Sequence, residues 1–274
     1  MSTSTKKDQR REARDRLRVE REEQARRAKL RGRLLVAGSL VAVLGIAVGV
    51  GVHASDAAGS AGPGDSEAAG RPFVQPAHTS GKDGIVVPYG KADAKHTLTV
   101  WLDPRCPYCA GVEVGLGGTI KEQADAGEYK VEYRFATFLD GALGNGSGKG
   151  SKRAVNALGA AVNESPEKFM EYLRVLYKNH PEKETDDRFG STATLLELAD
   201  QVPGLRTPAF DKAVKELTYM PWVDKVGKAF YDEHVKGTPA VLIDGRQITV
   251  NSGQGIDSIT PEAFKKLITE NRTP

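Results

Sequence analysis

The chain has 274 residues and two cysteines, and both cysteines lie in one heptapeptide, DPRCPYC, at positions 103–109. The heptapeptide overlaps TLTVWLD (97–103), a β-branched and aromatic run that predicts a buried strand. Helix-compatible residues, interrupted by glycines, follow from Cys106 to about Ala126, and YKVEYRFATFL (129–139) predicts a second strand. The sequence therefore predicts a strand, a helix that begins with two thiols, and another strand, which indicates an α/β fold.

Downstream of these elements the periodicity is mainly helical from Lys152 to Lys236. Pro and Gly residues divide this block into predicted helices near residues 152–163, 166–178, 191–201, 208–218 and 222–235. Two short strands (239–245 and 246–250) and a terminal helix (261–271) are predicted after it. The globular part is thus a βαβ unit, a helical insertion, and a closing ββα unit.

Positive charge is concentrated at the N-terminus. Residues 1–33 contain 13 Lys or Arg against 6 Asp or Glu, a net charge of +7, whereas the whole chain carries only +3. The remaining residues are therefore slightly acidic. We do not expect the folded part to bind nucleic acid.

An apolar run, LLVAGSLVAVLGIAVGVGV (34–52), follows this basic leader and contains no ionisable group. As a helix it is long enough to cross a bilayer, and Arg31 and Arg33 at its N-terminal side place the leader (1–33) in the cytoplasm. We expect a single-pass signal-anchor in the cell membrane, with everything after it outside the cytoplasm. A cleaved signal peptide is the alternative, because Val52-His53-Ala54 loosely resembles a cleavage site.

The segment after the anchor (53–82) is rich in Ala, Gly, Ser and Pro, and it is expected to be a flexible linker. The remaining residues (83–274) are numerous enough for one domain with a substantial core. Disulfides form and persist outside the cytoplasm, so the predicted location suits a domain with paired cysteines.

Two thiols at the start of a helix differ in their chemistry. The helix dipole and the unpaired amides of the first turn favour the thiolate of Cys106, which is therefore the predicted nucleophile. Cys109 lies one turn later on the same face and is the predicted resolving thiol. Pro107 suits the first turn because it lacks an N–H, and Tyr108 is expected to tune the balance of dithiol and disulfide.

Other uses of the cysteine pair are less consistent with the sequence. A zinc site needs two more Cys or His ligands, but there is no third cysteine and the five histidines show no paired spacing. A structural disulfide across so short a loop would remove little chain entropy. No metal and no cofactor are expected.

A strand ending in VWLDP, CPYC opening a helix, a helical insertion (about 152–236), and KGTPAVLIDG before a hairpin and a final helix resemble one known family. This order is similar to the DsbA-like branch of the thioredoxin superfamily, in particular to its membrane-anchored bacterial members. The resemblance spans residues 83–271. It implies a thioredoxin-like fold in which Thr238 pairs with an extended substrate and Pro239 follows a cis peptide bond beside the sulfurs.

The chain departs from the wider superfamily at one position. Many thioredoxin-like proteins carry a buried acid six residues before the first cysteine, where it exchanges protons with the resolving thiol, but Val100 occupies that position. Two carboxylates lie nearby in sequence. We interpret Asp103 as a strand-end residue and Glu113 as a solvated helix residue.

The resulting hypothesis is an anchored, extracytoplasmic thiol-disulfide oxidoreductase that oxidises the thiols of exported proteins. The resemblance implies a membrane quinone-linked thiol oxidase as its redox partner, and we expect a monomer because no separate dimerisation segment is evident. Alternatives on the same scaffold are a disulfide reductase or isomerase. A non-enzymatic peptide-binding module with a static disulfide also remains open.

Overall fold

The computed structural model describes residues 67–142 and 148–273. The predicted leader (1–33), the predicted anchor (34–52) and most of the predicted linker lie outside these residues. Within the described residues, no helix is both long and apolar enough to cross a membrane. The membrane prediction therefore stays a prediction.

A mixed sheet forms the centre of the domain. Its strands are β1 (Val87–Tyr89), β2 (Thr97–Leu102), β3 (Lys130–Phe135), β4 (Ala240–Ile243) and β5 (Arg246–Ile248). They are arranged in the order β1-β3-β2-β4-β5. The central pair β2 and β3 is parallel, and all the other neighbours are antiparallel.

Helices pack around this sheet. They are α1 (Pro107–Ala126), α2 (Leu139–Ala142), α3 (Gly150–Glu164), α4 (Pro166–Lys178), α5 (Thr192–Ala199), α6 (Pro208–Lys215), α7 (Met220–Asp232) and α8 (Pro261–Asn271). Helix α1 joins the parallel strands β2 and β3, as the sequence predicts. The helical insertion corresponds to α3 to α7. Helix α4 has the predicted bounds, and each of the other four begins or ends within a few residues of its predicted bounds.

The core follows from simple periodicity. Strand β3 alternates between half-buried and buried residues, and Tyr133 and Phe135 both contact the ring of Phe169 on α4. On α1 the residues from Cys109 to Ala124 that face the sheet are fully buried. Helix α1 thus buries one face in the core, and it also contacts α4 of the insertion and the terminal helix α8.

The structure differs from the sequence prediction at two places before β2. Strand β1 was not predicted, because it is three residues long and contains Pro88. The described end of the predicted linker (67–82) is in contact with the domain, since Glu67 forms ion pairs with Lys149 and Arg153. Among the described residues, packing on the domain therefore begins at residue 67.

Candidate active site

Cys106 lies where β2 ends and α1 begins. Its backbone is extended, its N–H donates to the Asp103 carbonyl oxygen at 2.9 Å, and its own carbonyl accepts from the N–H of Ala110 at 3.1 Å. Pro107 is the first helical residue, where its missing N–H has no helical acceptor. The sequence thus places the first thiol at the N-cap of a helix of 20 residues.

Both cysteines are free thiols, and they differ in accessibility. Cys106 is 4% exposed, whereas Cys109 is completely buried. The Cys106 thiol donates to the carbonyl oxygen of Thr238 at 3.3 Å, and the Thr238–Pro239 peptide bond is cis. The structure therefore brings together the four residues that the sequence predicts as the redox pair and its substrate-binding neighbour.

The two thiols are also electrostatically unequal. A hydrogen bond with Cys109 lowers the pKa of the Cys106 thiol, and this effect exceeds the opposing effect of burial. Burial raises the pKa of the Cys109 thiol well above its ordinary value, and the interaction with Cys106 raises it further. When one of the two thiols loses its proton, the negative charge is therefore favoured on Cys106 and the proton stays on Cys109.

Tyr108, between the two sulfurs in sequence, points outward with 44% of its surface exposed. The loop that contains Ile256 and Ser258 runs over the same helix. The carbonyl oxygen of Ile256 would lie 1.9 Å from a Cβ atom at Gly111, and Ser258 Oγ would lie 2.2 Å from one at Gly115. The loop can approach α1 so closely because both helix positions are glycine. The tuning roles predicted for Pro107 and Tyr108 stay predictions.

Arg105, which immediately precedes Cys106, is fully buried. Its guanidinium donates to the carbonyl oxygens of Leu139 (3.3 Å) and Glu184 (2.7 Å) and to the Asp140 carboxylate (3.1 Å). Asp187 lies 3.6 Å from the same group. No local sequence pattern marks Arg105 as a buried residue, because its partners are 34 to 82 positions away in the chain.

Asp103 completes this arrangement, which we call the Arg105 network: Arg105, Asp103, Asp140, Ser151 and Asp187. The Asp103 carboxylate accepts from the N–H of Arg105 (3.0 Å), the hydroxyl of Ser151 (2.6 Å) and the N–H of Leu139 (3.3 Å). Burial raises its pKa to about 7, although these hydrogen bonds act in the opposite direction. Asp103 does follow a strand, as predicted, but its side chain is completely buried beside the active site.

The prediction that Glu113 is a solvated helix residue is wrong. It lies on α1 one turn after Cys109, only 2% of its surface is exposed, and burial raises its pKa to about 7. Within the described part of the chain, neither carboxylate oxygen has a hydrogen-bond partner, and the same holds for the buried hydroxyls of Tyr133 and Tyr177. We call these three residues the Glu113 cluster. A signal was present in the sequence, since Cys109, Glu113, Leu116 and Ile120 share the 4-3-4 spacing of one helix face.

No group of three or more His, Cys, Asp or Glu side chains among the described residues is arranged to hold a metal ion. The chemistry that the site can perform with its own side chains is thiol exchange. A partly accessible sulfur with a lowered pKa can attack or be attacked, while a second, buried sulfur can close a disulfide with it.

Comparison with known proteins gives a consistent result. A family model described as thioredoxin matches residues 82–270. No curated protein sequence matches the chain. The family match covers more than half of the chain and includes every residue of the site described above.

Solved structures share the fold at low sequence identity. Reduced DsbA from Mycobacterium tuberculosis is 23% identical, with 68% of this chain and 92% of that chain covered and a TM-score of 0.54. Oxidised BdbD from Bacillus subtilis is 20% identical, with 72% and 95% covered and a TM-score of 0.55. MdbA, a thiol-disulfide oxidoreductase from Actinomyces oris, is 19% identical, with 68% and 88% covered and a TM-score of 0.55. The α/β thioredoxin-like fold with a helical insertion is therefore shared with proteins of the DsbA type.

Proposed function

The chain belongs to the thioredoxin family, as a DsbA-like thiol-disulfide oxidoreductase with the redox pair Cys106 and Cys109, and from this premise we propose that it introduces disulfides into exported proteins. The observation that carries the proposal is the inequality of the two sulfurs. Cys106 has a lowered pKa and some exposure, whereas Cys109 is enclosed and has a raised pKa. A stabilised Cys106 thiolate favours the dithiol form of the enzyme and makes its disulfide a stronger oxidant.

The proposed reaction has two exchanges. A substrate thiolate attacks the Cys106 sulfur of the enzyme disulfide, and the electron pair of the broken bond passes to Cys109. The second substrate thiolate then attacks the substrate sulfur that is bound to Cys106, and Cys106 leaves as a thiolate. The substrate gains a disulfide and the enzyme becomes a dithiol.

The backbone beside Cys106 suits an extended substrate segment. The carbonyl of Thr238 already lies within hydrogen-bond distance of the Cys106 sulfur, so a polypeptide held along Thr238 and Pro239 would reach that sulfur. Pro239 has no N–H to donate at this position. We propose these two residues as the substrate-binding segment.

The proposed location rests on the sequence. The apolar run 34–52, preceded by a leader of net charge +7, supports a single-pass anchor with its N-terminus in the cytoplasm and the domain outside. In that location a membrane quinone-linked thiol oxidase would return the dithiol to the disulfide. We propose that the protein works there as a monomer.

The direction of the reaction is tested by the reduction potential of the Cys106 and Cys109 pair. The full chain, purified in detergent, is equilibrated in glutathione buffers, and its free thiols are quantified by alkylation. A potential near about −120 mV supports an oxidase, whereas one near about −270 mV identifies a reductase.

The matched control is the pair of variants Cys106→Ser and Cys109→Ser. We expect Cys106→Ser to abolish oxidation of a dithiol peptide. We expect Cys109→Ser to accumulate a mixed disulfide between Cys106 and glutathione in the oxidised glutathione buffers, because no second thiol is present to release it. Full oxidation by Cys106→Ser would contradict the proposal. A disulfide that does not exchange with glutathione in the folded wild type would instead indicate a static brace in a binding module.

A further inference from the structure

One surface segment leads from the end of α7 to the proposed substrate-binding residues. It runs from Glu233 to Thr238, and we call residues 233–238 the Thr238 segment. The Thr238 carbonyl oxygen lies 3.3 Å from the Cys106 sulfur. The position of this segment therefore decides where an extended substrate would lie relative to the nucleophile.

The middle of the Thr238 segment has few attachments of its own. Lys236 is exposed, and Gly237 and Thr238 are half-buried. Within the described residues, the backbone N–H groups of these three residues donate no hydrogen bond. A backbone in this state is available to pair with a substrate, but it is also free to move. Its position is therefore set by the contacts at its two ends.

Both ends of the segment are supported by Trp101 on β2. Phe230, in the last turn of α7, meets the indole ring edge-on, with 5.8 Å between the ring centroids. Ala240, the first residue of β4, lies directly opposite Trp101 in the pairing of β2 with β4. These three residues belong to a small buried cluster outside the main core. Trp101 is thus the common support of the residues on either side of the segment.

Arg134, on β3, joins this support to the segment itself. Its guanidinium carbon lies 5.4 Å from the centre of the Trp101 ring, which is a cation–π distance. The same guanidinium forms an ion pair with Glu233, the first residue of the segment, and lies 3.5 Å from the Glu132 carboxylate. One side chain therefore connects the indole ring with the beginning of the Thr238 segment.

The backbone at the start of the segment is held weakly by local preference. After α7 the chain turns at His234, which has a left-handed backbone with a φ of 55°. The N–H of Val235 donates to the Phe230 carbonyl oxygen at 3.2 Å, which closes the helix. Glycine is the residue that suits this position best, and a side chain with a Cβ atom is less stable there. The ion pair of Arg134 with Glu233 holds the turn from outside the helix.

We propose that Arg134 is a positioning residue for the substrate-binding segment. By pairing with Glu233 beside the Trp101 ring, it keeps the Thr238 segment in the place where an extended substrate can pair with it. This inference rests on the proposed function and adds no step to the thiol exchange. Without Arg134, only the fraction of molecules whose segment is in place binds substrate, and the apparent affinity falls by that fraction.

The proposal separates two kinds of substrate. A dithiol peptide binds along the segment before it reacts, whereas dithiothreitol has no peptide backbone and reacts with the Cys106–Cys109 disulfide without the segment. Loss of Arg134 should therefore impair the reaction with the peptide and leave the reaction with dithiothreitol unchanged. A general distortion of the active site would impair both reactions.

The test is a single-turnover reaction of the oxidised full chain in detergent with increasing concentrations of a reduced dithiol peptide. We expect Arg134→Met to raise the half-saturating peptide concentration about 3- to 10-fold and to keep the limiting rate within about twofold. The rate constant for dithiothreitol should stay within about twofold of the wild type. Arg134→Lys keeps the charge but loses the planar guanidinium, so it should rescue part of the peptide affinity.

Arg272→Met is the matched control. The Arg272 side chain is 22% exposed against 17% for Arg134, and it also pairs with a glutamate, Glu128, at 2.8 Å. Glu128 precedes β3, whereas Cys106 follows the other end of the parallel strand β2. This ion pair is therefore remote from the redox pair. We expect Arg272→Met to react with the peptide and with dithiothreitol as the wild type does.

A second variant tests the ion pair alone. Glu233→Gln removes the carboxylate but leaves Arg134 beside Trp101, so we expect a smaller rise in the half-saturating peptide concentration, about two- to threefold. The double variant Arg134→Met/Glu233→Gln should be no worse than Arg134→Met, because both changes remove the same contact. Effects that multiply in the double variant would show that the two residues act separately and would overturn the inference.

The remaining outcomes are distinguishable. An unchanged half-saturating peptide concentration in Arg134→Met would overturn the inference and leave the proposed function intact. Equal slowing with the peptide and with dithiothreitol would also overturn it, because the whole site would then be distorted. If Arg134→Met does not fold, Glu233→Gln, at an exposed position, carries the test. A wild-type disulfide that does not exchange with the peptide would overturn the proposed function itself.

Discussion

Two buried carboxyl groups flank the redox pair, and they are held in opposite ways. Asp103 and Glu113 are both excluded from solvent, and burial is the first cause that raises the pKa of each to about 7. Asp103 accepts three hydrogen bonds in the Arg105 network. Glu113 accepts none within the described residues. The same pKa thus arises once in a fully engaged group and once in an isolated one.

The comparison teaches that a shifted pKa does not by itself identify a functional acid. The hydrogen bonds of Asp103 hold the chain before Cys106 against the helical insertion, so changing that region should chiefly change stability. The polar atoms of the Glu113 cluster make no hydrogen bonds within the described residues, so changing Glu113 should chiefly change how stability depends on pH. Unfolding free energies measured at several pH values separate these two cases.

The largest expected effect is in the Arg105 network. Arg105→Met keeps most of the side-chain volume but removes the guanidinium that pairs with the mostly buried Asp140 carboxylate. Because breaking a buried ion pair leaves an uncompensated charge, we expect a loss of about 3–5 kcal/mol in the free energy of unfolding, measured in urea. Arg188→Met, at an exposed ion pair, should cost less than about 0.5 kcal/mol. Equal losses in the two variants would show that the buried ion pair contributes no more to stability than the exposed one.

A smaller effect of opposite sign is expected for Glu113→Gln. The folded pKa of Glu113 is raised from 4.5 to about 7, so the wild type loses stability as pH rises through this window and bears the full cost above it. The variant does not titrate there. We expect the two proteins to have similar unfolding free energies near about pH 5, with the variant more stable by up to about 3 kcal/mol near about pH 8. A difference that does not change with pH would show that Glu113 is not titrating in the folded protein.

The smallest effect is expected for Ser151→Ala. Its buried hydroxyl donates to Asp103 at 2.6 Å, and losing that bond should cost about 1–2 kcal/mol. The same bond lowers the pKa of Asp103, so its loss should raise that pKa further and make the destabilisation larger above neutral pH than below it. Unfolding curves at acidic and alkaline pH test this, with the exposed Ser252→Ala as control. A uniform loss at all pH values would mean that Asp103 stays in one protonation state.

Local patterns account for most of what the sequence predicted correctly. The βαβ unit, the helices of the insertion, the terminal helix and the N-terminal position of Cys106 on α1 all follow from periodicity, Pro placement and glycine breaks. The cis peptide bond before Pro239 was implied by the family resemblance and is present in the structure. These features depend on residues that are close together in the chain, or, for Pro239, on a motif whose structure is known in the family.

The remainder depends on contacts between distant segments. Arg105 looks like a surface residue in sequence, and only the approach of α2 and the residues near 184–187 makes it a buried centre of hydrogen bonds. Glu113 is charged and lies among four glycines of α1, which weakens the periodic signal of the helix and favoured a solvated interpretation. The burial of both residues is a property of tertiary packing.

The glycines of α1 differ in the space that surrounds them, and so in the side chains that could replace them. A side chain at Gly111 would meet the backbone of the loop at Ile256 and displace it, and one at Gly115 would meet only the side chain of Ser258, while nothing lies within 4 Å of a Cβ atom at Gly118. In a population of natural or random variants, position 111 should therefore stay glycine, position 115 should accept only small residues, and position 118 should vary freely. The residue types accepted along this helix would therefore show which of its positions the loop covers.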